Sequence, residues 1–226
     1  METTPIKKKL DIDFINYMFL ATIFLLLVAS LCINHIVSYA VFMGFCIGAC
    51  FLPEKTIVCD LFFLMPFASI FKPSSDSTSF FTLCELIILL IFFIKGNKVT
   101  LNILLIGGMY VAYLALCKIF IHDSEIFGVI KQGMNIVLLF YFVRIYSTQE
   151  YKKLSLFFIA GMLLSSFIAL FADYIPNFYE FVKRIGGDSN AIKNRFTGLN
   201  GDPYYYSVII ILAFGLLFSL YSKKAI

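Results

Sequence analysis

Apolar residues run almost unbroken along this chain. Short polar clusters cut them into eight stretches, at 14–33, 36–52, 57–71, 80–94, 100–121, 126–143, 154–172 and 204–220. None alternates with the period of a half-buried strand, and a helix crosses the hydrocarbon of a bilayer with about 20 residues. In lipid every backbone polar group needs an internal partner, which for such runs means helix. The pattern therefore predicts an all-α, polytopic integral membrane protein of about eight transmembrane helices, forming one domain over 1–226. The third and fourth stretches are short and Pro66 interrupts the third, so these two are expected to tilt, kink or form a partly re-entrant pair. One long polar segment, 173–203, separates the seventh and eighth stretches.

Charge orients the helices. With eight alternating spans, Lys7, Lys8, Lys9, Lys55, Lys95, Lys98, Arg144, Lys152, Lys153, Lys223 and Lys224 all fall on one side. The short loops on the other side carry only Lys72, beside Asp76, Asp123 and Glu125. The positive-inside rule then places both termini in the cytoplasm and 173–203 outside. A single miscounted span would scramble this separation. Lys7-Lys8-Lys9 ahead of an apolar run resembles a secretory signal, but no small-residue cleavage site follows, so it reads as an uncleaved first span.

Composition agrees with that solvent. The chain is 61% hydrophobic and 14% charged, with a mean hydropathy of +0.91, more apolar surface than a soluble domain of this size uses. Trp is absent, so an interfacial aromatic belt has to come from Tyr17, Tyr39, Tyr146, Tyr151, Tyr174 and Tyr204 to Tyr206. Six cysteines lie in or beside apolar runs and read as buried small hydrophobes. Cys46 and Cys50 stack on one helix face but lack the His or carboxylate company of a metal site. Ala40, Gly44 and Gly48 form a small-residue stripe suited to close helix packing, within the chain rather than between copies. The net charge of +4 has no basic face or aromatic RNA-binding motif with it, which argues against a nucleic-acid partner.

A few charges break the inside bias, and they gather at one level. Lys118 falls about one turn from the outer end of the fifth span and Lys131 about six residues into the sixth. The outer segment adds Lys183, Arg184, Lys193 and Arg195. Lys118 could snorkel and Lys131 could pair with Glu85 in the fourth span. The alternative is an outward-facing cationic pocket for a phosphorylated lipid headgroup, a role that suits the planar fork of arginine. Asp60, near the inner end of the third span, is expected to pair with a cytoplasmic-side lysine. His35 and His122 fall at the outer boundary and read first as solvated interface residues. No nucleotide-binding loop, nucleophile elbow, zinc spacing or calcium loop occurs.

The segment Arg195-Phe196-Thr197-Gly198-Leu199-Asn200-Gly201-Asp202-Pro203, followed by Tyr204-Tyr205-Tyr206-Ser207, carries a resemblance. It is similar to the O-antigen ligase and O-antigen polymerase superfamily. Members carry an Arg, a Gly three residues later, a short link to Asn/Asp-Pro-Asn, and then a new span. Arg195, Gly198, Asp202 and Pro203 occupy those positions, while Tyr204 departs from the usual Asn. Met65-Pro66-Phe67 through Phe71-Lys72, then Ser79-Phe80-Phe81-Thr82, also resembles the early spans of the family. The likeness is loose over the whole chain and good from Arg195 to Ser207.

The resemblance implies glycosyl transfer in O-antigen, capsule or exopolysaccharide assembly at the outer face of the bacterial cytoplasmic membrane. A polyprenyl-diphosphate-linked oligosaccharide is the implied partner, with membrane lipid and other polysaccharide-assembly proteins around it, and no cofactor or metal. An acceptor hydroxyl attacks the anomeric carbon, and arginines hold the departing diphosphate. Arg195, Lys131 and Lys118 are the expected diphosphate-binding residues, with Gly198, Asp202 and Pro203 shaping the turn and re-entry. Family members run longer, with a second outer loop bearing an Arg and a catalytic His. The expectation is therefore a truncated chain, with a partner protein, His122 or a loop carboxylate as the alternatives. Two other functions fit the composition: a transporter or flippase for a lipid-linked or anionic solute, and a non-catalytic membrane subunit. The first would want paired Gly/Pro-broken spans in two halves, and Pro66 has no counterpart in the second half.

Overall fold

The computed structural model describes residues 5–74, 79–95, 101–121, 133, 137, 151–186, 199 and 203–222. Among these the protein is all-helical. The α-helices are α1 (Pro5–Cys32), α2 (His35–Phe51), α3 (Glu54–Leu64), α4 (Phe80–Ile94), α5 (Leu101–Ile121), α6 (Tyr151–Leu170), α7 (Phe178–Gly186) and α8 (Pro203–Ser222). Two 3-10 stretches, Met65–Phe71 and Ala172–Tyr174, follow α3 and α6. Among the described residues, two helical stretches are long and apolar enough to cross a membrane, at Asp13–Cys32 and Tyr151–Leu170. Further described apolar helical stretches lie at Ile36–Phe51, Phe80–Ile94, Leu105–Cys117 and Tyr206–Ser222. Of the stretch at 126–143, only Gly133 and Val137 are described, and both are helical.

The chain divides into two compact units, Met1–Phe81 with Lys152–Ile226, and Thr82–Tyr151. In the first, α1 and α2 form a hairpin through Asn34, whose side chain accepts from Ile36 N at 3.0 Å and so caps α2. In the second, Gly133 sits against Val111 of α5, close enough that a Cβ would displace the valine. Many large apolar side chains face outward, including Phe51, Phe93, Met109, Leu170, Ile211 and Phe218. So much exposed apolar surface on so many helices is foreign to a water-soluble monomer.

Pro66 does what its chemistry requires. It has no N–H to give and its ring crowds the preceding turn, so α3 stops at Leu64 and tightens into 3-10 winding. The loosened carbonyls are then met by serines from three directions. Ser165 of α6 donates to Pro66 O at 3.5 Å, Ser79 to Ala68 O at 2.7 Å, and Ser38 of α2 to Ile70 O at 3.4 Å. The oxygen of Ser79 also accepts from Phe81 N at 3.2 Å, which starts α4. Irregular backbone survives in an apolar interior only when it is supplied in this way.

Close packing in the first unit depends on Gly161. A Cβ there would run into the backbone carbonyl of Phe63, so α6 and α3 touch main chain to side face. Gly161 and Ser165, one turn apart, make a small-xxx-small edge that lies along α3 and its 3-10 continuation. The stripe singled out from sequence behaves differently. Gly48 packs on the Phe19 ring of α1, but Gly44 has no described atom within 4 Å of its would-be Cβ, and Ala40 is exposed.

One more expectation is corrected. Tyr206 does not belong to an interfacial belt: it is buried with Phe158, Met162 and Ile209. Ser166 donates to Met162 O at 2.8 Å, which leaves the Tyr206 hydroxyl to donate to Ser166 Oγ at 2.6 Å. An apolar core at this position keeps a tyrosine because the neighbouring helix supplies its partner.

Candidate functional site

The polar segment at 173–203, expected from its composition to be one outer loop, contains a helix. Phe178, Phe181, Val182 and Ile185 recur at helical spacing after Pro176-Asn177, and they form the inner face of α7. Asn177 adopts φ 65°, a left-handed conformation that asparagine tolerates better than other side-chain-bearing residues, and its carbonyl accepts from Phe181 N at 2.9 Å. That sharp entry lays α7 against α1 and the 3-10 stretch Met65–Phe71.

A cavity of about 430 Å³ opens where these elements meet. Ser30 and Leu31 close it from the end of α1, Ile33 and Asn34 from the hairpin turn, Ile70 from the 3-10 stretch, and Asn177, Glu180, Phe181 and Arg184 from α7. The guanidinium of Arg184 lies 5.8 Å from the centroid of the Phe181 ring, within cation–π range. Its Nε is buried and has no hydrogen-bond partner. Burial pushes the Arg184 guanidinium below its ordinary value, with Tyr39 acting in the opposite direction. It remains a cation at neutral pH, because arginine does not lose its proton in proteins. The cavity thus offers one fixed positive charge with an unused N–H, the carboxylate of Glu180 and the neutral amides of Asn34 and Asn177, so an oxygen-rich anionic group would meet Arg184 beside one acidic neighbour.

In the sequence, Arg184 is only one of the basic residues of the outer segment. The signal that distinguishes it is its place four residues after Glu180 and three after Phe181 on a short amphipathic helix. Of the residues expected to hold a diphosphate, Lys118 falls in the last turn of α5, and its side chain lies outside what the structure describes. Lys131, His122, Arg195, Gly198 and Asp202 lie outside the described residues, as does the pairing of Lys131 with Glu85. Pro203 is the first residue of α8, where its fixed φ favours helix initiation. Leu199, within the Arg195-to-Pro203 segment, is fully buried.

A second polar group is buried at the opposite end of α1. Asp60 of α3 is fully buried, and Asn16 of α1 donates Nδ2 to its Oδ1 at 3.0 Å. Asp60 is expected from the sequence to pair with a cytoplasmic-side lysine; Lys153 of α6, whose charge acts on Asp60, makes its ion pair with Asp13 Oδ1 instead, at 3.3 Å. The Lys153 ammonium lies 5.9 Å from the centroid of the Phe157 ring, which stacks on Tyr17. A short amide can reach into the α1–α3 contact without carrying a charge into it, whereas the long lysine keeps its ammonium at the wetter edge.

No protein-family model, curated protein or solved structure matches this chain.

Proposed function

We propose that this chain is a multi-pass protein of the bacterial cytoplasmic membrane that transfers polyprenyl-diphosphate-linked glycan during surface-polysaccharide assembly. The observation that carries the reading is the half-buried Arg184 in a cavity made by α7 and the α1–α2 turn. In the eight-span topology this cavity and Arg195 lie at the same, outer membrane boundary. A lipid diphosphate arriving from the bilayer would meet preorganised positive charge there. Fixed cations stabilise a departing phosphate oxygen without reorganisation. The similarity of Arg195 to Ser207 to the O-antigen ligase and polymerase superfamily supplies the reaction class. In this reading Arg195 grips the diphosphate, helped by Lys118 and Lys131. Arg184 adds a second contact, to the diphosphate or the first sugar.

The helices α2, α4, α5 and α8 also turn large apolar side chains outward, which supports the larger span count, since they too need a lipid surround. Cysteines placed at Ser189 and Ser222 in a cysteine-free background test the topology. The first should react with an impermeant thiol reagent from outside and the second from inside. Equal reaction of both from outside would overturn it. The function is tested by the surface-glycan profile of a deletion strain complemented with Arg195→Lys or Arg184→Gln. Loss of long chains with single repeat units retained is expected for Arg195→Lys, because lysine anchors an interface but cannot form the two-point grip. A normal profile with both variants ends the proposal.

A further inference from the structure

Asp60 and Asn16 are paired through only half of their hydrogen-bonding capacity. Asp60 is 0% exposed and Asn16 4%. Their one hydrogen bond runs from Asn16 Nδ2 to Asp60 Oδ1, and the two remaining oxygens, Asp60 Oδ2 and Asn16 Oδ1, are buried without a partner. Both are acceptors. Turning the amide over would set its oxygen against a carboxylate oxygen and orphan the nitrogen instead. A single hydrogen on Oδ2 removes both deficits, because the acid then donates to the amide oxygen while accepting from the amide nitrogen. Leaving two buried acceptors unmet, one of them charged, is the costlier arrangement.

We propose that Asp60 and Asn16 form a binding site for an exchangeable proton, which joins Asp60 Oδ2 to Asn16 Oδ1 and closes the α1–α3 contact as a neutral acid–amide pair. The surrounding groups fit a site that exchanges its proton with water at one edge. Lys153 of α6 is the cation that acts on Asp60, and it is held by Asp13 of α1, with Tyr17 of α1 and Cys59 of α3 beside it. The Lys153 and Asp13 side chains are 46% and 37% exposed, so solvent reaches the rim of the pair. When the proton leaves, the carboxylate gains a full charge with one neutral donor, and Lys153 is drawn from Asp13 toward Asp60. Proton occupancy thus selects which carboxylate holds the lysine, and with it how tightly α1 closes on α3.

The test is infrared spectroscopy of the purified full chain in lipid nanodiscs, and it reads the carboxyl group independently of any glycan chemistry. A protonated-carboxyl C=O band is expected at neutral pH, equal in sodium and in sodium-free buffer. It should vanish in Asp60→Asn and move to higher frequency in Asn16→Ala, which removes the acceptor. Asp60→Asn should melt near the wild type, since an amide–amide pair uses the same four positions, whereas Asp60→Leu should melt lower. Absence of a band assignable to Asp60 overturns the proposal, as does a band abolished by sodium, which would make this a metal-cation site. If Asp60→Asn yields no folded protein, the frequency shift in Asn16→Ala decides.

Discussion

The helix α3 and the 3-10 stretch that continues it treat buried polar atoms in opposite ways. At the 3-10 end, the carbonyls of Pro66, Ala68 and Ile70 each receive a hydroxyl, from serines on three separate segments. At the other end, Asp60 and Asn16 keep two oxygens unmet. Serine is small and neutral and can cap a stray carbonyl wherever a helix passes nearby, so satisfying backbone is easily arranged. A carboxyl in the interior is a different kind of object, since a neutral alanine or serine would pack there without its desolvation. Buried backbone polarity is here the by-product of a kink, while buried side-chain polarity is an addition that the kink does not require.

The contrast can be broken from either side. The largest effect should come from Gly161→Leu, which drives a side chain into the Phe63 carbonyl where no rotamer change relieves it. Overpacking costs about 1–3 kcal/mol even against yielding side chains, so loss of the monodisperse peak in size-exclusion chromatography is expected. Next is Ser79→Ala, which removes the donor to Ala68 O and the acceptor for Phe81 N together. A stranded part-buried carbonyl and a lost helix cap are each worth about 1 kcal/mol, read as a lowered melting temperature in detergent. Tyr206→Phe should cost about 1 kcal/mol, because Ser166 keeps its bond to Met162 O and only one hydrogen bond is lost. The smallest effect belongs to Asp13→Asn, which breaks an exposed ion pair worth about 0–1 kcal/mol. A drop as large as that of Ser79→Ala would show that the charged rim supports α1 more than its exposure implies.

The borders of most helices were legible in the sequence, because the polar punctuation that cuts the apolar runs also ends the helices. The stretch at 80–94 coincides with α4, and those at 36–52 and 100–121 match α2 and α5 within a residue. Pro66 announced its break for the same covalent reason that produces it. What periodicity could not reveal was which partner each polar residue would meet. Lys153 is near enough to Asp60 to act on it but is bonded to Asp13, a choice made by helix packing rather than by spacing along the chain. Gly161 and Ser165 carry the close helix contact, while Ala40 and Gly44 of the more regular stripe do not, since a stripe records only the possibility of approach. The helix α7 was concealed by its charges, which mask four apolar residues at helical spacing. The packing of α7 brings Arg184, one of several basic residues of the polar segment, to the cavity, a distinction that charge counting along the chain does not make.

The tight winding after Pro66 also alters how far the chain reaches. An α-helix advances about 1.5 Å per residue and a 3-10 helix about 2.0 Å. The 11 residues of α3 and the 7 that follow therefore extend roughly 30 Å along their own axes, some 3 Å more than the same residues would as uninterrupted α-helix. That is close to the thickness of a hydrocarbon layer, which ordinarily takes about 20 residues to cross. The proline break works as an extender, lengthening a segment that residue number alone would judge too short, and the three serines hold that extension in place.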